Sequence, residues 1–383
     1  MNEQFAIYSF IFIIFEKNIT MKDNMRIIVL IGILVLIGLF SCKTNNNLSD
    51  ESTKTLSSRS EYRVMFYNVE NLFDTEDDPE TRDEEFLPDG GRYWTKYRYN
   101  QKLNNIYKVI VGVGGWDLPQ IVGLSEIENR KVLEDLINYT PLYKSDYEII
   151  HYDSPDRRGI DVAMFYRKDY FTPILKKPIK VDWPKSISGG PTRDILYVAG
   201  VTNTNDTLHL FVNHWPSRWG GQMETEDKRM HVANIVRKQT DSIFRVNPNA
   251  NIIIMGDLND YPTDRSVLEK LKAKIEFDDI KPKSLYNLSY YLQNVKNLGT
   301  HKYDGQWGVL DQMIVSGGML DTTSTIFTSL EDAHIYDADF LLEPDDKYPG
   351  KRVNRTYIGF KYHGGYSDHL PVYLDLRKNT LGY

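Results

Sequence analysis

Several aliphatic runs in this sequence stop on, or start from, a residue that can bind a metal ion or move a proton. "YRVMFYN" (62–68) ends in Asn68, "QIVGLSE" (120–126) in Glu126 and "DTLHLFVNH" (206–214) in His214. "NIIIMGD" (251–257) ends in Asp257, with Asn259 two residues on; Asp311 sits inside "VLDQMIV" (309–315), and Asp368 and His369 lead into the last run, 369–376. One strand-end Asp or Asn is an ordinary turn former. The recurrence is different, because adjacent strands lie about 4.8 Å apart and residues at their same ends converge. Carboxylates gathered in this way repel one another unless a cation neutralises them. Carboxylate and amide oxygens without thiolate select a hard ion, Mg²⁺ first, with Mn²⁺ or Ca²⁺ as alternatives. Few of these positions are histidine and no HExxH pair occurs, which disfavours zinc.

Other polar residues carry two readings each. Arg158 and Arg193 have the forked donors that clamp phosphate, or are surface arginines with no fixed partner. Asp161, just after Gly159, either orients His214 or forms a turn. Asp257 and Asn259, two apart on an extended chain, project the same way. Asp260 reads as part of the "DYPTD" loop, and Asp264 as the cap of a helix starting near Arg265. The acidic insert "DTEDDPETRDEEF" (74–86) lacks the alternation and glycine of an EF-hand and reads as a solvated loop. Trp215 and Trp219 either face a substrate or pack on the core.

The elements that must position these residues are mostly strands. The runs above have strand length and composition, as has "GIDVAMFYR" (159–167). Residues 95–110 carry apolar groups at helical spacing, and in 223–244 Met230, Ala233, Val236, Thr240 and Ile243 share one face. Strands outnumber helices, no regular βαβ beat appears, and no Gly-rich phosphate loop is present. The expected class is α+β, sheets packed on each other with helices outside. With 383 residues, 41% hydrophobic, 26 Tyr and 16 Phe, the chain can bury a sizeable core and is not a disordered polymer. A net charge of −7 argues against a protein that coats nucleic acid through Lys and Arg alone. An enzyme that meets phosphate through a bound cation is not excluded. No basic stripe with interleaved aromatics is evident.

The single cysteine, Cys42, precludes an intrachain disulfide. It ends "LFSC" after a basic start at 21–26 and an apolar run over 27–40, too short for the ~20 residues of a spanning helix. This is the pattern of a secretory signal with a lipobox-like cysteine. Residues 21–42 are therefore expected to be a signal peptide and Cys42 a lipidation site, the alternative being a short transmembrane anchor with an incidental cysteine. The mature protein is expected outside the cytoplasm, periplasmic or at the cell surface, held to a bacterial membrane by its N-terminal lipid. Residues 43–60, rich in Ser, Thr and Asn, read as a tether. Residues 1–20, a second apolar run before Met21, are expected to be a mis-annotated extension. One domain, 61–378, is expected, as a monomer.

Taken in order, "FYNVENLFD", "QIVGLSEIEN", "RRGIDVAMFYR", "VNHWPSR", "IIMGDLND", "LDQMIV" and "YSDHLPV" resemble the endonuclease/exonuclease/phosphatase family over about 61–376. The resemblance implies a four-layer α/β-sandwich, two packed mixed β-sheets flanked by helices on both outer faces. It implies a site at one end that hydrolyses phosphoester bonds with a divalent cation. By the same resemblance Glu126 is the principal metal carboxylate with Asn68 beside it, and Asp368 is the terminal metal carboxylate. Asp257 and Asn259 match the pair that holds the attacking water and a phosphate oxygen. His369 matches the phosphate-contacting or proton-transferring histidine, Asp311 the acid that bonds it, and His214 the second histidine of the deoxyribonuclease-like and sphingomyelinase-like branches. Which histidine is acid and which base stays open. The expected reaction is in-line attack of water on a phosphodiester, first in DNA or RNA, alternatively in a lipid or sugar phosphate. A surface lipoprotein that binds without catalysis is the remaining alternative.

Overall fold

The computed structural model describes residues 62–379. The expected extension (1–20), signal with Cys42 (21–42) and tether (43–60) lie outside the described residues. The strands of the two large sheets are, in chain order, β1 (Tyr62–Leu72), β2 (Ile121–Ile127), β3 (Tyr147–His151), β4 (Asp161–Arg167), β5 (Phe171–Ile179), β6 (Ile195–Thr202) and β7 (Thr207–His214). They continue with β8 (Asn251–Asp257), β9 (Ala273–Lys274), β10 (Leu285–Asn287), β11 (Asp311–Ser316), β12 (Ile326–Phe327), β13 (Ala333–Ile335) and β14 (Val372–Lys378). Four α-helices accompany them among the described residues: α1 (Lys96–Gly114), α2 (Arg130–Asn138), α3 (Gln222–Val246) and α4 (Ser289–Asn294).

One sheet runs β12-β14-β1-β2-β4-β3, with β13 also on β14; the other runs β5-β6-β7-β8-β11-β10-β9. Both are mixed: β1–β2 and β7–β8 are parallel, whereas β1–β14 and β8–β11 are antiparallel. The sheets pack face to face, with α1 and α2 on the outside of the first and α3 on the outside of the second. This is the expected four-layer sandwich.

The alternation of β8 shows how the layers arise. Ile253 and Met255 join Leu210, Val212, Met313 and Val315 in the core between the sheets. Ile252 and Ile254 instead join Phe211 and Ile314 against Val232 and Val236 of α3. Successive strand residues point to opposite faces, so a strand covered on both sides reads as an unbroken apolar run.

Elements not legible in the sequence include β3, β5, β6 and α2. The edge strand β5, "FTPILKKPI", carries two prolines and two lysines, residues tolerated only where one side has no neighbour. Helix α2 is short and starts from Asn129, whose side chain accepts from the Val132 N–H at 3.0 Å. No helix among the described residues is long and apolar enough to cross a membrane.

Candidate active site

Strand register assembles half of the site. His214, Asp257 and Asp311 are direct partners across β7, β8 and β11. They continue the series Val212, Met255 and Met313, so all three face the other sheet. Parallel strands β7 and β8 come close here: a Cβ on Gly256 (φ +154°) would sit 2.2 Å from the Asn213 carbonyl oxygen. Only glycine fits.

The first sheet supplies Asn68 from β1 and Glu126 from β2. Glu126 is the extra residue of a bulge between Ser125 and Ile127 and takes φ 64°, a conformation rare for a non-glycine residue. Glu70 and Asn71 on β1 are left-handed as well, at 53° and 55°. The two irregularities meet: the Asn71 N–H donates to Glu126 Oε2 at 2.9 Å, which pins the carboxylate. Strain concentrated in this way is affordable only where the surroundings over-determine it.

Asp257 is the point of convergence. Its Oδ2 lies 3.1 Å from Asn68 Nδ2, 3.6 Å from His214 Nε2 and 3.8 Å from His369 Nε2. The two histidine separations are too long for direct hydrogen bonds. Burial, with Asp311 and Glu126 adding repulsion, pushes the Asp257 carboxyl up to about 6 against the pull of His369. After Asp257 the chain does not stay extended, so Asp257 and Asn259 do not project in parallel. The Asn259 N–H donates back to Asp257 Oδ1 at 2.9 Å with φ 51°, and Asn259 Nδ2 donates to the Trp215 carbonyl at 3.1 Å.

The two histidines are driven apart. His214 is buried, its Nδ1 has no partner among the described residues, and its pKa is well below the ordinary value through burial and the charges of Arg193 and Arg158. His369 is equally buried, but its Nδ1 lies 2.7 Å from Asp311 Oδ2. Burial opposes its charge; Asp311 and Asp257 outweigh that and hold its pKa well above normal. His214 is therefore the neutral ring and His369 the protonated one, a division that separates acceptor from donor.

A second charge network abuts His369. Asp368 Oδ2 accepts from Arg355 Nη2 at 2.9 Å, and Arg355 Nε also donates to Glu70 Oε1 at 3.0 Å. Burial disfavours the Asp368 charge, yet Arg355 with His369 and His301 keeps its pKa at about 2. Lys102, on the buried face of α1, donates to Thr356 Oγ1 and the Tyr366 carbonyl, both at 2.6 Å. Its pKa is lowered to about 8 by burial. The His301 ring lies 4.8 Å from that of His369 and is held at about 4 by burial and the charge of His369.

The sequence model of the endonuclease/exonuclease/phosphatase family matches residues 63–378. The chain belongs to this family. No curated protein sequence matches it. Among solved structures it resembles a humanised D. rerio TDP2 (TM-score 0.50, 13% identity), covering 82% of this chain and 98% of that one. It also resembles the Bacteroides thetaiotaomicron mannosyl-6-phosphatase Bt3783 (0.46, 17% identity; 82% and 99% covered) and the human Nocturnin catalytic domain (0.48, 14% identity; 82% and 93% covered). At such identities the likeness is one of fold.

The family's use of divalent cations can be tested on the residues present. Buried Asp257 feels the charges of two further carboxylates, Asp311 and Glu126, and Asp311 Oδ1 is buried without a hydrogen bond among the described residues. Asp257, Asp311 and His369 can bring one ligand atom each within 4.8 Å of one another, as can His301, Asp368 and His369. An oxygen-rich set with surplus negative charge fits a hard cation. Asn68 is turned otherwise here: its Oδ1 accepts from the Glu70 N–H at 3.0 Å and its Nδ2 faces Glu126 and Asp257.

Several expectations resolve differently. Asp161 does not orient His214; it accepts from Ser154 and lies 2.9 Å from His151 Nε2. Asp260 does lie in the loop that follows β8, but its side chain is not turned to solvent: it is buried against Arg229 Nε at 2.7 Å and Ser266 Oγ at 2.6 Å, tying the site loop to α3. Asp264 does not cap the next helix: that segment is a short π-helical turn, Ser266–Leu271, and the Asp264 side chain accepts instead from the Tyr261 N–H and Arg218, both at 2.7 Å. Of the two proposed clamps, Arg193 is buried and engaged with Asp156 (3.1 Å) and the Trp215 carbonyl (2.6 Å), whereas Arg158 is half-exposed. Trp215 is core and Trp219 is solvent-exposed. The acidic insert is not wholly solvated, since Asp74 and Asp83 are buried.

Glu70, Lys102, His301 and Arg355 escaped the sequence reading. Lys102 alone left a signal, a lysine on the apolar stripe of Tyr99, Leu103 and Ile106. Arg355 comes from an irregular segment and His301 opens a strand of only three residues, His301–Tyr303, too short for its spacing to carry information.

Proposed function

We propose that this protein is a divalent-metal-dependent phosphodiesterase, with nucleic acid as its first substrate class. The observation that carries the reading is Asp257, flanked by two histidine Nε2 atoms whose protonation is driven in opposite directions. Glu126, Asp257 and Asp368, with Asn68 after rotation of its amide, would hold the ion, which when bound polarises a phosphoryl oxygen and offsets the charge of in-line attack. Asp257 orients the attacking water by accepting one of its hydrogens. His214, on the β7 side, accepts the proton that water gives up. His369, kept protonated by Asp311 on the β11 side, donates a proton to the phosphate or the departing oxygen. The expected N-terminal lipid at Cys42, an extracytoplasmic location and a monomeric state complete the proposal; mass spectrometry of the mature protein reads the first two from an acylated N-terminal cysteine.

Protein freed of metal and then given Mg²⁺, Mn²⁺ or Ca²⁺ is expected to regain hydrolysis of an aryl phosphodiester. Plasmid DNA, RNA, sphingomyelin and inositol phosphates then define the class. If no cation restores turnover of any of these, the enzyme reading fails.

A further inference from the structure

Beside the reacting centre, on the His214 side, lies a recess of about 520 Å³ whose walls include Arg158, Arg193, Lys228, Ser217, Trp183 and Trp219. Three segments distant in sequence build it: the loop before β4, the loop between β5 and β6, and the stretch that follows His214 into α3. Its volume lies within the range of small-ligand sites, ~300–1,000 Å³.

The chemistry of the walls is one-sided. Three side chains are cationic, and Asp156 is the sole carboxylate among the lining residues. Asp156 is already committed, 3.1 Å from Arg193 Nη1 and 3.5 Å from Arg158 Nε. Lys228 makes no ion pair among the described residues. A concentration of cations on a chain of net charge −7 needs an anion from outside.

Two indoles flank these cations. Trp183 is fixed, its Nε1 donating to the Gly190 carbonyl at 2.8 Å. Trp219 is 90% exposed and is presented by Gly220 and Gly221, at φ 87° and 125°. A flat, sequence-tolerant face of this kind stacks rings, as in single-strand binding sites. The recess is joined to the reacting centre through one atom: the Trp215 carbonyl accepts from both Arg193 Nη2 (2.6 Å) and Asn259 Nδ2 (3.1 Å).

We propose that this recess is a subsite for a second phosphate carried on a flat-ringed arm of the substrate, the chemistry of a nucleotide. The proposal rests on the phosphodiesterase reading above and narrows it. Lys228 and Arg158 take the phosphate, Trp219 takes the ring, and Arg193 holds the wall against the catalytic loop.

The test uses metal-loaded protein and four substrates: methyl p-nitrophenyl phosphate, the dinucleotide TpT, and TpT carrying an added terminal phosphate at its 5′ end or at its 3′ end. The phosphorylated dinucleotide is expected to exceed TpT in kcat/KM by about tenfold at one of the two ends, the worth of one charge-assisted contact. Lys228→Met removes that advantage, and Trp219→Ala lowers kcat/KM for the dinucleotides about tenfold more than for the methyl ester. Binding is read separately in metal-free protein: thymidine 3′,5′-bisphosphate is expected to quench tryptophan emission, and Trp219→Phe to remove the quench. Inactivity towards all four substrates, with plasmid DNA, RNA and sphingomyelin also left intact, sinks the phosphodiesterase reading. Turnover of the methyl ester with no terminal-phosphate preference in wild type, or a preference that survives Lys228→Met, overturns the subsite alone. Equal quenching by an inositol bisphosphate overturns its assignment to a nucleotide.

Discussion

Replacing Asp257 by Asn is expected to stabilise the metal-free protein while it abolishes the chemistry, and the size of the effect follows from the site. The carboxyl is pushed from 3.8 up to about 6, chiefly by burial. The folded protein therefore holds this proton more tightly than the unfolded chain does. The group costs nothing below pH 4; as pH rises from about 4 to about 6 the cost grows, reaching ~3 kcal/mol above pH 6. Asparagine carries no such cost. Its Oδ1 still accepts from the Asn259 N–H, but its amide nitrogen meets Asn68 Nδ2, 3.1 Å from the present Oδ2. One lost hydrogen bond subtracts about 1 kcal/mol. The net gain is about 2 kcal/mol at pH 8, or a Tm rise of roughly 4 °C for a domain of this size, with no gain at pH 4. Thermal unfolding followed by circular dichroism in EDTA at both pH values measures it. Mg²⁺ narrows the difference, because the cation favours the carboxylate. A variant no more stable than wild type at pH 8, or equally stabilised at both, refutes the argument that desolvation dominates at Asp257.

Three further substitutions probe other parts of the site. Asp311→Asn removes the carboxylate 2.7 Å from His369 Nδ1; the high-pH limb of the rate profile is expected to move down by about one or two units, and an unmoved limb would show that His369 is not the titrating donor. His214→Ala is expected to lower kcat by ~10²–10⁴ with little change in Tm, and near-normal turnover would remove His214 from the mechanism. Asp260→Ala strands the fully buried Arg229, which lies 2.7 Å from it off the hydrogen-bond line; the expected loss of roughly 3–5 kcal/mol is read by urea denaturation, and a loss below 1 kcal/mol would mean that the guanidinium finds water instead.

Much of the fold was legible because its central strands advertise themselves. A strand buried on both faces is an unbroken apolar run, and β8 appears in the sequence with its observed limits, Asn251–Asp257. Edge strand β5 was not legible, since its prolines, lysines and exposed positions carry neither strand composition nor a clean alternation. The site follows the same division. His214, Asp257 and Asp311 could be found because strand ends in register bring them together. Glu126 could be named, but its aim depends on a bulge that no local pattern announced.

Residue order alone carries the inventory: strands of given length, polar groups at their ends, an oxygen-rich set with two histidines, and a resemblance that spans the domain. Tertiary structure alone decided the pairings. It joined Asp161 to His151 rather than to His214, buried Asp260 on Arg229, set Arg355 between Glu70 and Asp368, and gathered Arg158, Arg193, Lys228 and two indoles around one recess. It also separated the two histidines, giving Asp311 to one ring and two arginines to the other. The reason is physical. Backbone periodicity is local and is written residue by residue, whereas charge acts through distance and local dielectric, and the residues that set both here lie far apart in the chain, Glu70 and Arg355 by 285 positions.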